Sequence, residues 1–215
     1  MIAKLCTWGP DRGAAIEHMR NALDGFEVEG IGHNLPFVAA VMDHEKFISG
    51  NMTTAFIAEE YPEGFQGVTL AEGDMKRLAA AAAAMYRVAE IRRTRVSGRM
   101  GNHERKVGDN WVVQCGEAGW PLTIVADPQG ATGTFESGET HRVESDWTPG
   151  QMLGVFHVDG QTLTVKVDKI PSGLRLRWRG ADLAMKVLSP RQAELMPLMP
   201  EKVAADTSNM LLRPM

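Results

Sequence analysis

Cysteine is nearly missing from this 215-residue chain: Cys6 and Cys115 stand alone. Two thiols are too few for a disulfide framework or a thiolate metal centre. Each reads as a small, buried, apolar residue in a reducing compartment, and neither has a histidine near it in sequence to act as a base. No stretch reaches the roughly 20 apolar residues a membrane helix needs. The opening residues, Met1 to Trp8, lack the basic start and small-residue cleavage site of an export signal. Also lacking are a glycine-rich phosphate loop, paired His or Cys ligands and a nucleophile elbow. A net charge of −4 gives no global pull toward nucleic acid or membrane. No catalytic, cofactor or metal residue can be named from these patterns.

What is present divides into three segments. The first, about 1–67, mixes strand and helix. Ile2 to Trp8 has strand character. Gly9-Pro10-Asp11 is a turn with Asp11 as N-cap, and Ala15, Ile16, Met19, Ala22 and Leu23 form the stripe of a helix ending near Gly25. Phe26 to Ile31 returns as a second strand. Asn34 caps a second helix with Pro36 in its first turn and Phe37, Val38, Val41 and Met42 facing its core. A short helix follows over Phe56, Ile57 and Tyr61. Asp43-His44-Glu45 resembles a cluster, but consecutive helical positions point about 100° apart, so the three read as a solvated helix end. His18, His33 and His44 take capping, surface or core roles.

The second segment is an alanine-rich helix running into a basic loop. Leu70, Met75, Leu78, Ala82, Met85 and Ala89 share one helical face, and Ala79 to Ala84 form an unbroken run that lets neighbours approach closely. Arg92, Arg93, Arg95, Arg99, Arg105 and Lys106 follow, among Gly98, Gly101 and Gly108. The third segment, from Trp111 to about Leu188, is all β. Seven candidate strands are legible: 111–115, 122–125, 140–147, 152–158, 162–167, 174–178 and 183–187. Turns fall at 117–119, 127–130, 159–160 and 179–180, with Asp159-Gly160 the strongest hairpin signal. Seven or eight short strands favour a barrel or a sandwich. From Pro190 the proline-dotted tail reads as extended linker.

Three readings compete for the basic loop: a solvated connection, a nucleic-acid contact beside a small barrel, and a protein-docking loop. Arginine is enriched at interfaces and bridges carboxylates bidentately, which favours docking. Its candidate contact residues are Arg93, Arg95, Arg99, Met100, Asn102 and His103.

Met1-Ile-Ala-Lys-Leu, the run Asn51-Met-Thr-Thr-Ala-Phe-Ile-Ala-Glu-Glu-Tyr-Pro-Glu-Gly-Phe, and Leu198-Met-Pro-Glu-Lys-Val-Ala-Ala-Asp-Thr-Ser occur in the order found in one family. The chain resembles the carboxyl-terminal half of the α subunits of the propionyl-CoA carboxylase family, biotin-dependent acyl-CoA carboxylases. The resemblance implies an α+β fold: the end of an ATP-grasp biotin carboxylase domain over 1–67, then a helix-plus-barrel domain over 68–198. In that domain an antiparallel barrel of about eight strands surrounds a long central helix, with a hook at about 94–110. Residues 199–215 would lead toward a biotin carrier domain.

The resemblance further implies a non-catalytic piece of a larger chain that docks the carboxyltransferase β subunit and works beside the biotin carrier. Biotin, and ATP with Mg or Mn, would belong to other parts of the parent enzyme. Neither nucleic acid nor membrane is an implied partner, and the compartment would be bacterial cytoplasm or mitochondrial matrix. A methylcrotonyl-CoA type carboxylase and a stand-alone barrel that binds through its basic loop remain as alternatives.

Overall fold

A computed structural model describes residues 3–28, 30–97 and 106–199. Helices come first. α1 (Arg12–Gly25) starts where Asp11 accepts the Ala14 N–H at 2.8 Å, the cap its sequence predicts. α2 (Leu35–Asp43) opens with Pro36 in its first turn, but Asn34 makes no side-chain cap bond. α3 (Glu45–Ser49) is capped by His44, whose Nδ1 accepts the Lys46 N–H at 3.2 Å. α4 (Phe56–Glu60) follows. Phe37, Tyr61 and Phe65 meet edge to face, with centroids 5.2 to 6.1 Å apart, and tie α2 to the chain leaving α4. Phe37, Val38, Val41 and Met42 are only half-buried; Ala39 is the one fully buried residue of α2.

Neither strand expected here is present among the described residues. Residues 3–9 and 26–28 carry no strand, Cys6 is exposed, and Trp8 is 79% exposed. The reason is pairing. Every described strand belongs to one closed barrel in which each member already has two neighbours, so no edge remains to accept another.

α5 (Glu72–Thr94) is a 23-residue helix, about 35 Å long at 1.5 Å per residue. Eight antiparallel strands close around it in sequence order: β1 (Asn110–Cys115), β2 (Ala118–Asp127), β3 (Gly130–Phe135), β4 (Thr140–Glu144), β5 (Leu153–Val158), β6 (Gln161–Ile170), β7 (Gly173–Trp178) and β8 (Ala181–Leu188). β8 returns to β1 through Val112↔Leu188 and Val113↔Val187. The alanine run does more than line one face. Ala79 through Ala83 are all 0–1% exposed, so the helix is buried all round. An eight-stranded barrel has room only for its own side chains, and a helix fits inside it only if its girth is that of alanine. Inward residues of the strands, among them Val113, Ile124, Phe156, Val165, Leu176 and Val187, close on it.

β3 escaped the sequence pattern for the same reason. Its inward positions are Ala131, Gly133 and Phe135. A Cβ on Gly133 would lie 3.3 Å from the Ala80 Cβ and 3.1 Å from Ile124, so the helix presses this strand toward small residues and hides its β signature. β4 stops at Glu144 rather than Trp147, and the first hairpin turns at 116–117, not 117–119. The tail is not all linker: Ser189 makes a capping box with Gln192 and starts α6 (Pro190–Leu195), followed by a 3-10 turn at Met196–Leu198. Cys115 is half-buried against the core, and burial pushes its thiol up.

The helical unit packs on the outer wall of the barrel. Lys166 projects outward from β6 yet is 8% exposed, donating to the Leu23 carbonyl at 2.9 Å. In the β7–β8 turn, the Arg179 N–H donates to Asp24 Oδ1 at 2.8 Å, while its side chain reaches Glu17 at 3.2 Å and Asn21 at 3.0 Å. Burial raises the Asp24 carboxyl to about 6, against the opposing pull of Arg179. Gly180 beside it has φ +79°, and a Cβ there would meet the Pro36 carbonyl at 2.7 Å. This turn therefore seats against α2 only as glycine. Among the described residues no helix is long and apolar enough to cross a membrane.

Candidate partner-binding site

Strand alternation sends the turns at 116–117, 136–139, 159–160 and 179–180 to the end of the barrel where α5 begins, the proximal end. The turns at 128–129, 145–152 and 171–172 lie at the distal end, where α5 leaves.

The proximal end is closed by paired charges. Lys76 near the start of α5 donates to Glu139 at 2.7 Å and approaches Glu72 at 3.1 Å. The donated bond holds the Glu139 carboxyl below its usual range. His141, 7% exposed at its side chain, places Nδ1 2.6 Å from Asp159 and Nε2 3.1 Å from Glu139. The imidazole thus lies between two carboxylates, one against each ring nitrogen.

The distal end carries the arginines. Arg87 bonds Asp109 at 2.9 Å. Arg92 reaches the Pro149 carbonyl at 3.4 Å, and Arg93 pairs with Glu90, which is 2% exposed. Arg92, Arg93, Arg95 and Val96 are exposed as the helix emerges. Of the six contact residues expected from the sequence, Arg93 and Arg95 thus lie together at the last turn of α5. Arg99, Met100, Asn102 and His103 lie outside the described residues. The expected hook at about 94–110 starts at the last residue of α5, Thr94, and ends at the first of β1, Asn110, with 98–105 outside the described residues.

Sequence reasoning missed the apolar part of this end. Val88 (46% exposed), Val96 (64%), Val125 (60%) and Met152 (48%) gather around the distal mouth. Two clefts open there. One, about 290 Å³, lies between Val88 and Ile91 of α5 and the β2–β3 turn; the other, about 230 Å³, lies between Tyr86, Ala89 and Met152. Trp147, 9% exposed, forms a wall of both. The signal that could have found it was Trp147-Thr148-Pro149-Gly150, which is turn chemistry rather than strand. At the first cleft's rim Arg142 grips Asp127, holding its carboxyl down to about 2.

Chemistry of other kinds has little purchase. Among the described residues no three His, Cys, Asp or Glu side chains converge as a metal site. Asp43, His44 and Glu45 part company: Asp43 pairs with Arg20 at 2.5 Å, His44 with Glu60 at 3.2 Å, and Glu45 is exposed.

Comparison with known proteins adds the family. Residues 78–202 match the propionyl-coenzyme A carboxylase BT domain, and residues 1–59 match the biotin carboxylase C-terminal domain. The chain is 68% identical over 215 residues to the propionyl-CoA carboxylase alpha chain of Ruegeria pomeroyi, covering 32% of that protein. It is 32% identical over 227 residues to the mitochondrial counterpart of Mus musculus, covering 30% of it. Biotin carboxylase 1 of Bacillus subtilis is 44% identical over 57 residues, 26% of this chain and 13% of that one. The chain thus spans about a third of the length of the curated alpha chains it matches. With more than half of its residues matched by the BT-domain model, the chain belongs to the propionyl-CoA carboxylase BT-domain family, carrying the end of a biotin carboxylase domain ahead of its barrel.

Proposed function

We propose that this chain is a non-catalytic scaffold: the segment of a propionyl-CoA carboxylase α subunit that docks the carboxyltransferase β subunit. The observation that carries the reading is the asymmetry of the barrel. Its distal end combines exposed arginines with exposed apolar side chains, the composition of protein interfaces. The contact residues would be Arg93, Arg95, Arg99, Met100, Asn102 and His103, in a hook of about 94–110. We place the boundary between the biotin carboxylase portion and the docking domain at 67/68, with 199–215 leading toward a biotin carrier.

In the parent enzyme, ATP and bicarbonate form carboxyphosphate, which carboxylates biotin. The carrier takes carboxybiotin to the β subunit, where propionyl-CoA becomes methylmalonyl-CoA. An ATP-grasp domain with Mg or Mn supplies the first step, in bacterial cytoplasm or mitochondrial matrix. This chain supplies geometry: fixing α on β gives the carrier a high effective concentration at both active sites. The chain by itself neither hydrolyses ATP nor accepts biotin, and streptavidin detection after coexpression with a biotin ligase would contradict that.

The direct test is charge reversal. Arg95→Glu with Arg99→Glu leaves Arg93 bracing Glu90, so the helix end keeps its fold while the interface loses its sign. Loss of co-elution with the β subunit is expected; unchanged co-elution would overturn the docking role.

A further inference from the structure

The barrel wall is not uniform, and its weakest seam lies at the distal end. Neighbouring strands pair through four to six residues on every side but one. β4 meets β5 only at Val143↔Val158 and Glu144↔His157. Beyond that the two strands part, and the 145–152 loop fills the gap. Its parts are fixed by side-chain bonds: Ser145 Oγ donates to the Val155 carbonyl at 2.7 Å and accepts the Trp147 N–H at 3.1 Å. The Trp147 indole N–H donates to the Gln151 carbonyl at 2.9 Å, and Gln151 Oε1 accepts the Thr148 N–H at 2.7 Å. The indole packs beside Gly154, where a Cβ would stand 3.0 Å from it and 2.5 Å from the Phe156 ring. A rigid partition thus stands between two open clefts, each with a half-exposed apolar residue on its lip: Val88 on one side, Met152 on the other.

We propose that these clefts are paired sockets for two apolar side chains of the carboxyltransferase β subunit, inserted one on each side of Trp147, with acidic residues of that partner beside the second. The inference rests on the docking reading above and extends it from the hook to the barrel wall. The apolar specificity follows from the lips and floors, which bring Val88, Ile91 and Phe156 to the first cleft and Ala89, Val167 and Leu174 to the second. The acidic neighbours follow from charge. Arg93 and Lys169 line the second cleft with Asp168, and Arg92 and Arg95 stand exposed beside it, so the balance there is positive and an approaching basic surface would be repelled, whereas Arg87 and Asp127 balance at the first cleft. Sockets that are already formed spare the partner the cost of ordering them, which is the condition for side chains that anchor an interface.

The test measures binding of the full chain to purified carboxyltransferase β subunit for Val88→Asp, Met152→Asp, Arg95→Glu/Arg99→Glu and a control, Val155→Asp. Val155 is 40% exposed and lines neither cleft. Near-UV circular dichroism checks that each variant is folded. Val88→Asp and Met152→Asp should each weaken binding tenfold or more, with Val155→Asp within twofold of wild type. If the arginine variant weakens binding and the two socket variants do not, the sockets are wrong and the docking reading stands. If Val155→Asp weakens it equally, the sockets are wrong as well. If no variant matters, the docking reading falls with them. A measurement on the unmodified protein guards against misfolded variants: peroxide oxidation of Met152 should slow at least fivefold when the β subunit is bound, while the exposed Met52 of the helical unit keeps its rate. An unchanged Met152 rate overturns the proposal.

Discussion

The two ends of one barrel solve opposite problems. At the proximal end the charges around the start of α5 pair within the chain: Lys76 with Glu139 and Glu72, His141 with Glu139 and Asp159, Arg77 with Asp74 at 2.6 Å. These pairs close that mouth of the barrel from within the chain. At the distal end arginines and valines share an exposed surface around two clefts, a surface that gains by being covered. The same helix joins both ends. Its acidic first turn (Glu72, Asp74) and basic last turn (Arg92, Arg93) complement the helix dipole, so local helix chemistry also set which end would carry positive charge. Charge at a helix end is thus a structural requirement first, and a docking surface only when apolar residues gather beside it.

The contrast can be broken by exchanging the effects. Arg95→Glu with Arg99→Glu should cost about a hundredfold in β-subunit affinity, about 3 kcal/mol, with little change in thermal midpoint; titration calorimetry and scanning calorimetry read the two separately. His141→Ala should do the reverse. It removes a buried imidazole that bridges Glu139 and Asp159 and leaves a gap in the wall, and should lower unfolding free energy by about 2 kcal/mol in denaturant titration, leaving affinity unchanged.

A smaller effect separates the proximal turns from the junction at α1. Asp24 has its carboxyl raised from 3.8 to about 6 by burial, so the folded chain holds that proton more tightly than the unfolded one. Its contribution therefore makes the chain more stable as pH falls from 7 through 6 toward 4, by on the order of 2 kcal/mol. Glu139 acts in the opposite sense: its lowered carboxyl contributes stability that is present above the ordinary glutamate range and is lost as pH falls through the lowered value. Comparing wild type with Asp24→Asn between pH 7 and 5 isolates the first term. The smallest change is expected from Val155→Asp on the outer wall, within about 0.5 kcal/mol of wild-type stability.

Much of this was legible in the sequence, for identifiable reasons. Asp11, Pro36 and Asp159-Gly160 act locally, and each lies where its chemistry predicts. The alanine run announced a helix in tight quarters, though not one buried on every side, because periodicity reports faces and Ala79–Ala83 have none that is wet. β3, and the absence of strand at 3–8 and 26–28 among the described residues, were illegible because pairing decided them. Ala131 and Gly133 are small to admit the helix, and apolar runs elsewhere found no strand edge free. The arginines were visible as a run; the clefts were not, since Val88, Trp147 and Met152 are brought together only by closure of the barrel.

The central claim is that the distal end alone is the docking surface. Hydrogen–deuterium exchange of this chain with and without the carboxyltransferase β subunit tests it most directly. Protection is expected in the last turns of α5, from 86 to 95, and in the loops at 145–152 and 171–172, with the turns at 116–117, 136–139 and 159–160 unchanged. Protection confined to those proximal turns, or to α1–α4, would contradict the account.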